Sequence, residues 1–145
     1  VDDLEEMKNA EFWRDKRVFL TGHTGFKGSW LALWLRRLGA RVCGYALPPP
    51  TEPSLYALAD VAQVVERSVL EDIRNHAVLA REMREFDPDV VLHLAAQSVV
   101  LDSYQDPIET FSVNVVGTAS VLNAVRALQR PCVVVNVTTD KVYEN

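Results

Sequence analysis

Between an apolar run, Arg17–Thr21, and a segment of helical periodicity stands Thr21-Gly22-His23-Thr24-Gly25-Phe26-Lys27-Gly28, a stretch that few folds accommodate. Its glycines are spaced three and three, and each spacing has a physical use. The first permits a tight turn, the second lets a diphosphate approach the backbone, and the third lets helix and strand pack closely. The helix that follows points free amides and the positive end of its dipole toward the same spot. A glycine triplet alone is weak, because turns also favour glycine. Set between strand and helix, it predicts a dinucleotide-binding loop at Gly22, Thr24, Gly25, Phe26, Lys27 and Gly28.

The rest of the chain repeats the same alternation. Strands are expected at Arg17–Thr21, Arg41–Ala46 and residues 64–70, 90–94 and 132–137. Val90-Val91-Leu92-His93-Leu94 is apolar without a break, as in a strand covered on both faces. Helices are expected at residues 1–13, 26–38 and 75–86, and from Asp106 to about Leu128. In Asp106-Pro107-Ile108-Glu109, Asp caps, Pro fits the first turn and Glu can reach back. Alternation of this kind gives parallel strands joined by right-handed crossovers. The fold class is therefore α/β, a doubly wound parallel sheet (Rossmann fold) with helices on both faces, over residues 1–145 as one dinucleotide-binding domain.

Composition narrows the function classes. The 145 residues are 48% hydrophobic and 24% charged with a net charge of −5 and no basic stripe, so no nucleic-acid partner is expected. The longest apolar runs are too short to span a bilayer, and no signal pattern opens the chain; a cytoplasmic protein with no membrane partner is expected. Cys43 and Cys132 read as small buried hydrophobes, and His23, His76 and His93 lack neighbours at metal-ligand spacing, so no metal is expected. The first residue is Val1 and the last, Asn145, closely follows a strand, which suggests a truncated parallel-sheet protein with its carboxyl-terminal substrate domain absent.

Ligands of such sheets bind beyond the carboxyl ends of the strands, where strand order reverses. Leu94-Ala95-Ala96-Gln97 falls there, with small residues that admit a cofactor and a neutral amide to orient it. His93, inside the strand, reads as a core residue. The acid expected at the end of the second strand is missing: Tyr45-Ala46-Leu47 stands there, and no Arg or Lys follows, which favours NAD over NADP. Asp72, next to Ile73, either accepts from an adenine amino group or is a solvated acid. Thr138-Thr139-Asp140-Lys141 closes the fifth strand. A hydroxyl, an acid and an amine in a row can position a sugar alcohol and exchange protons with it, or form an ordinary solvated turn.

Together, Thr21–Trp30, Gly44-Tyr45-Ala46-Leu47, Asp72-Ile73-Arg74, Leu94-Ala95-Ala96-Gln97 and Thr139-Asp140-Lys141-Val142-Tyr143 resemble the CDP-glucose 4,6-dehydratases, a branch of the extended short-chain dehydrogenase/reductase family. Thr-Asp-Lys, where sister dehydratases carry Thr-Asp-Glu, is the discriminating part. The resemblance implies NAD as cofactor and CDP-glucose as substrate. Hydride would leave sugar C4, water would be lost across C5 and C6, and the hydride would return to C6. Thr139 would hydrogen-bond O4, Asp140 would protonate the departing C6 hydroxyl, and Lys141 would stand as the C5 base. It also implies a homodimer of the full-length enzyme, built on the helix from Pro107 to Leu128. The family's Tyr-x-x-x-Lys pair is not found here, and Ser98 and Leu101 replace the Pro and Arg of many relatives, so the fragment is expected to be inactive. Another NAD-dependent nucleotide-sugar dehydratase or epimerase, or a non-catalytic dinucleotide-binding module, remains the alternative.

Overall fold

The computed structural model describes residues 11–139. Five parallel strands, β1 (Arg17–Thr21), β2 (Arg41–Ala46), β3 (Arg67–Leu70), β4 (Val90–His93) and β5 (Val133–Asn136), lie in the order β3-β2-β1-β4-β5. The chain crosses outward from β1 to β3, then returns to the other side of β1. The reversal falls between β1 and β4, paired from Val18↔Val90 to Thr21↔His93, so the crevice expected of a doubly wound sheet opens at Thr21 and His93.

Alternation along each strand divides the core in two. Val18, Leu20, Val42, Val90 and Leu92 pack with Ala32 and Leu35 of α1 (Phe26–Arg37). Phe19, Cys43, Tyr45 and Val91 face the other way, onto Leu79, Met83 and Phe86 of α4 (His76–Phe86) and Val121 and Ala124 of α6 (Pro107–Arg126). Two short helices, α2 (Leu55–Leu58) and α3 (Val61–Val64), fill the connection from β2 to β3, and α5 (Val100–Gln105) precedes α6. At the amino-terminal edge of the sheet, Arg17 and Arg130 pair with Asp87 and Asp89 at 2.8–3.6 Å, knitting β1, the start of β4 and the approach to β5 together.

Several expectations need correction. The third strand starts at Arg67, not at residue 64, because Val61 and Val65 sit four apart and bury against the α1 side of the core as one helical turn. The helix expected from Asp106 begins as predicted: Asp106 accepts the Glu109 amide at 2.9 Å, with Pro107 in the first turn. Glu109 does not reach back, however. Its carboxylate takes the Arg74 guanidinium at 2.6 Å, a charged donor that outbids a neutral amide. α6 is also not uniform: Ser112–Val116 widens into a π turn. Cys43 is buried in β2, whereas Cys132 lies just ahead of β5 and is only half-buried. By length and mean hydropathy, 1.2 over an 18-residue window, α6 would suffice to cross a bilayer. Yet Asn114, Thr118 and Ser120 spend their polar groups on the sheet side and on α4, as in a helix docked on a protein layer. The expected helix over residues 1–13 lies mostly outside the described residues; 11–13 are helical.

Candidate functional site: a glycine loop at the sheet reversal

The glycine loop is held at every turn. Gly22 has φ +77°, in the left-handed region, and donates its N–H to the Tyr45 carbonyl at 2.9 Å. A Cβ on Gly22 would press within 3.0 Å of the Leu94 and Ala95 backbone, and one on Gly28 would run into the Gly22 carbonyl. Ser29 donates its hydroxyl to the His23 carbonyl at 2.9 Å, and Thr24 donates its own to the Leu47 carbonyl at 2.8 Å. Thr24 thereby ties the loop to the end of β2. Gly25 caps α1 with no side-chain hydrogen bond, and no acid occupies the first turn. The amides of Phe26, Lys27 and Gly28 form the positive end of a twelve-residue helix, and this arrangement fits a diphosphate. Phe26, Lys27 and Leu94 also meet across a cavity of about 560 Å³, walled by Trp30, Leu31 and Trp34.

His23 is buried beneath the loop, in space that a side chain at residue 44 would occupy. Its Nε2 is 2.7 Å from the Ser68 hydroxyl, which is 2.8 Å from the Tyr56 hydroxyl. Burial pushes its pKa down to about 4, so the ring is neutral at ordinary pH.

At the reversal, a polar thread joins β1, β4 and α6. Thr21 Oγ1 accepts the Leu94 and Ala95 amides, each at 3.0 Å. Its own proton therefore goes to His93 Nδ1 at 2.7 Å. His93 Nε2 must then carry the ring proton and donate to Thr118 Oγ1 at 3.0 Å, while Thr118 donates to the Asn114 carbonyl at 2.6 Å. Burial lowers the His93 pKa, in keeping with this neutral tautomer. Asn114 completes the thread by gripping Gln97 from both sides, accepting its amide at 2.8 Å and donating to its carbonyl at 2.9 Å. The π turn presents Asn114 to the loop. His93 is thus the core residue expected of it, and Leu94, Ala95, Ala96 and Gln97 form a pinned rim to the crevice.

Asp72 follows β3 and is gripped by Arg74, Oδ1 to Nε at 2.9 Å and Oδ2 to Nη2 at 2.6 Å. These hydrogen bonds hold its carboxyl below the usual range. Ile73 beside it is buried. On the other flank, Val137 donates to the His93 carbonyl at 3.0 Å, so exposed Thr138 and Thr139 follow β5 from the level where β4 ends. Asp140 and Lys141 lie outside the described residues. Among the described residues no cluster of three His, Cys, Asp or Glu side chains gathers as a metal would require. Sequence reasoning missed Thr118 and Asn114 and gave no role to Thr21 or Arg74, which it met only inside motifs; the signal for the first two was polar residues four apart in an otherwise apolar helix.

Comparison with known proteins adds relatives to this geometry. The family profile described as GDP-mannose 4,6 dehydratase matches residues 19–145. The chain is 50% identical over 139 residues to CDP-glucose 4,6-dehydratase of Salmonella typhimurium, covering 96% of this chain and 38% of that protein. Among solved structures, UDP-glucose 4-epimerase of Thermus thermophilus in complex with NAD is similar at TM-score 0.67 and 33% identity, over 76% of this chain and 33% of that one. The Brucella ovis UDP-glucose 4-epimerase in complex with NAD gives 0.68 and 29%, over 79% and 33%. The chain thus spans about a third of the length of these relatives.

Proposed function

Because this chain belongs to the GDP-mannose 4,6 dehydratase family, we propose that it is the NAD-binding part of a nucleotide-sugar 4,6-dehydratase acting on CDP-glucose. The observation that carries the reading is the loop from Gly22 to Gly28, whose geometry suits a diphosphate, within a chain half identical to a CDP-glucose 4,6-dehydratase. Bound NAD would supply a hydride acceptor and donor, so the overall reaction needs no other oxidant. The amides of Phe26, Lys27 and Gly28 would receive the diphosphate. Asp72 would accept from the adenine amino group, with Ile73 packed behind it. The pinned backbone from Leu94 to Gln97 would close the crevice on the nicotinamide side, next to Thr139.

The chemistry at the sugar follows the order Thr139, Asp140, Lys141. Thr139 would hydrogen-bond the C4 oxygen and Asp140 would give a proton to the departing C6 hydroxyl. Lys141 would take the C5 proton, which requires its amine to be brought well below the ordinary lysine pKa of about 10.4 by desolvation or a nearby cation. The absence of any basic group after β2 favours NAD over NADP. Assembly as a homodimer through α6 is supported by the exposed Ile108, Phe111, Val115 and Leu122.

Titration of the chain with NAD⁺ by calorimetry tests the reading. We expect saturable binding, a loss of at least about ten-fold in Gly28→Ala, and no turnover of CDP-glucose by the 145-residue chain, since Tyr45, Tyr56 and Tyr104 all lack a lysine four positions on. Absence of NAD⁺ binding would remove the reading, and turnover of CDP-glucose by this chain would remove its assignment of the chemistry.

A further inference from the structure

We propose that Arg74 decides which purine the site accepts, by leaving Asp72 a single lone pair with which to meet the base. The proposal rests on Asp72 as the acceptor for the adenine amino group. An ionised carboxylate offers about four lone-pair positions. Oδ1 of Asp72 spends both of its own on Arg74, taking the backbone amide at 2.8 Å and Nε at 2.9 Å. Oδ2 takes Nη2 at 2.6 Å. One position is left, on Oδ2.

The guanidinium cannot swing aside to release the others. Its Nη1 is held by the Glu109 carboxylate at 2.6 Å and the Ser112 hydroxyl at 3.2 Å, both from α6. Between the two partners, Ile73 is buried against α6 so closely that a side chain on Gly117 would meet its Cγ2 at 2.6 Å. Three ties thus bolt the loop after β3 to one helix. The Asp72 side chain keeps 27% exposure, and the proposal places its remaining lone pair on that exposed part.

A free carboxylate is a permissive reader of purines. It can accept from the amino group of adenine, or rotate to accept from the ring N1–H of a 6-oxo purine. Clamped on three sides, the Asp72 carboxylate has no such rotation. It accepts from a 6-amino group and meets the oxygen of a 6-oxo purine as acceptor against acceptor. The clamp also keeps the acid ionised, so it has no proton to offer that oxygen.

Calorimetric titration of the chain with NAD⁺ and with nicotinamide hypoxanthine dinucleotide separates the possibilities, using the parent, Arg74→Met and Arg74→Lys. The parent should prefer NAD⁺ by about ten-fold or more, and Arg74→Met should bind the two within about three-fold of each other. Lysine keeps the charge but lacks the two-pronged fork, so Arg74→Lys should lose most of the preference too; it decides the matter if the methionine variant does not fold. If both variants keep the parent ratio, even with both affinities reduced alike, Arg74 is only structural and the proposal is overturned. A parent without preference overturns it through Asp72 while the cofactor site stands. A parent that binds neither dinucleotide overturns it together with the cofactor reading.

Discussion

His23 sits where the loop most needs a rigid floor, and its chemistry makes a pH-dependent support. Its folded pKa of about 4 lies below the ordinary histidine value of 6.5. The unfolded chain therefore binds more protons between those values, and stability rises with pH across that window. His23 contributes fully above about pH 6.5, its contribution falls as pH drops toward 4, and the loss levels off below that, at roughly 3 kcal/mol if the whole shift is realised. Urea unfolding of the parent and His23→Gln at pH 4.5 and 7.5 should show a smaller pH difference in the variant. The depressed carboxyls of Asp72, Asp87 and Asp89 add their own acid sensitivity, but it is common to both proteins and cancels in the comparison. An unchanged difference would mean that His23 is not the group that titrates.

At the scale of elements, α6 has two faces with opposite obligations. Gly117, Ser120, Val121 and Ala124 are buried toward the sheet, while Ile108, Phe111, Val115 and Leu122 form an exposed apolar stripe. If the proposed dimer uses that stripe, Phe111→Asp with Leu122→Glu should shift the sedimentation coefficient to that of a monomer while far-ultraviolet circular dichroism stays unchanged. A parent that sediments as a monomer at all accessible concentrations would leave the stripe without this partner. How legible these elements were in the sequence depended on what kind of burial shaped them. β1, β2 and β4 are apolar on both faces, a pattern little else produces, and they fell where expected. β3 was misplaced at its start, because a short apolar run serves a helical turn as well as a strand. The π turn in α6 left no mark in the sequence, since it answers to Asn114 gripping a loop seventeen residues away. The glycine loop was readable because its constraint is local. The thread through Thr21, His93 and Thr118 was not, because its links span 72 and 25 residues, and nothing local distinguishes such a threonine from any other. Arg74 was visible as a neighbour of Asp72, but its second grip, on Glu109, depends on how α6 docks.

Over the whole molecule, the two ends of the sheet do different work. The amino-terminal end is locked by the Arg17, Arg130, Asp87 and Asp89 ion pairs, and the carboxyl-terminal end carries the glycine loop and the pinned rim of the crevice. This division would let one end stay fixed while the other meets the proposed cofactor. The sheet is also unequal from side to side. Among the described residues β5 is the outermost strand on one flank, and Val133, Val135 and Val137 are exposed there. Such a margin offers backbone groups and bare valines to any extended peptide that arrives, its own copies included. The 145 residues taken alone should therefore associate strand to strand in concentrated solution, and a lysine in place of Val135 should raise the concentration at which light scattering sets in, while thermal unfolding stays within a few degrees.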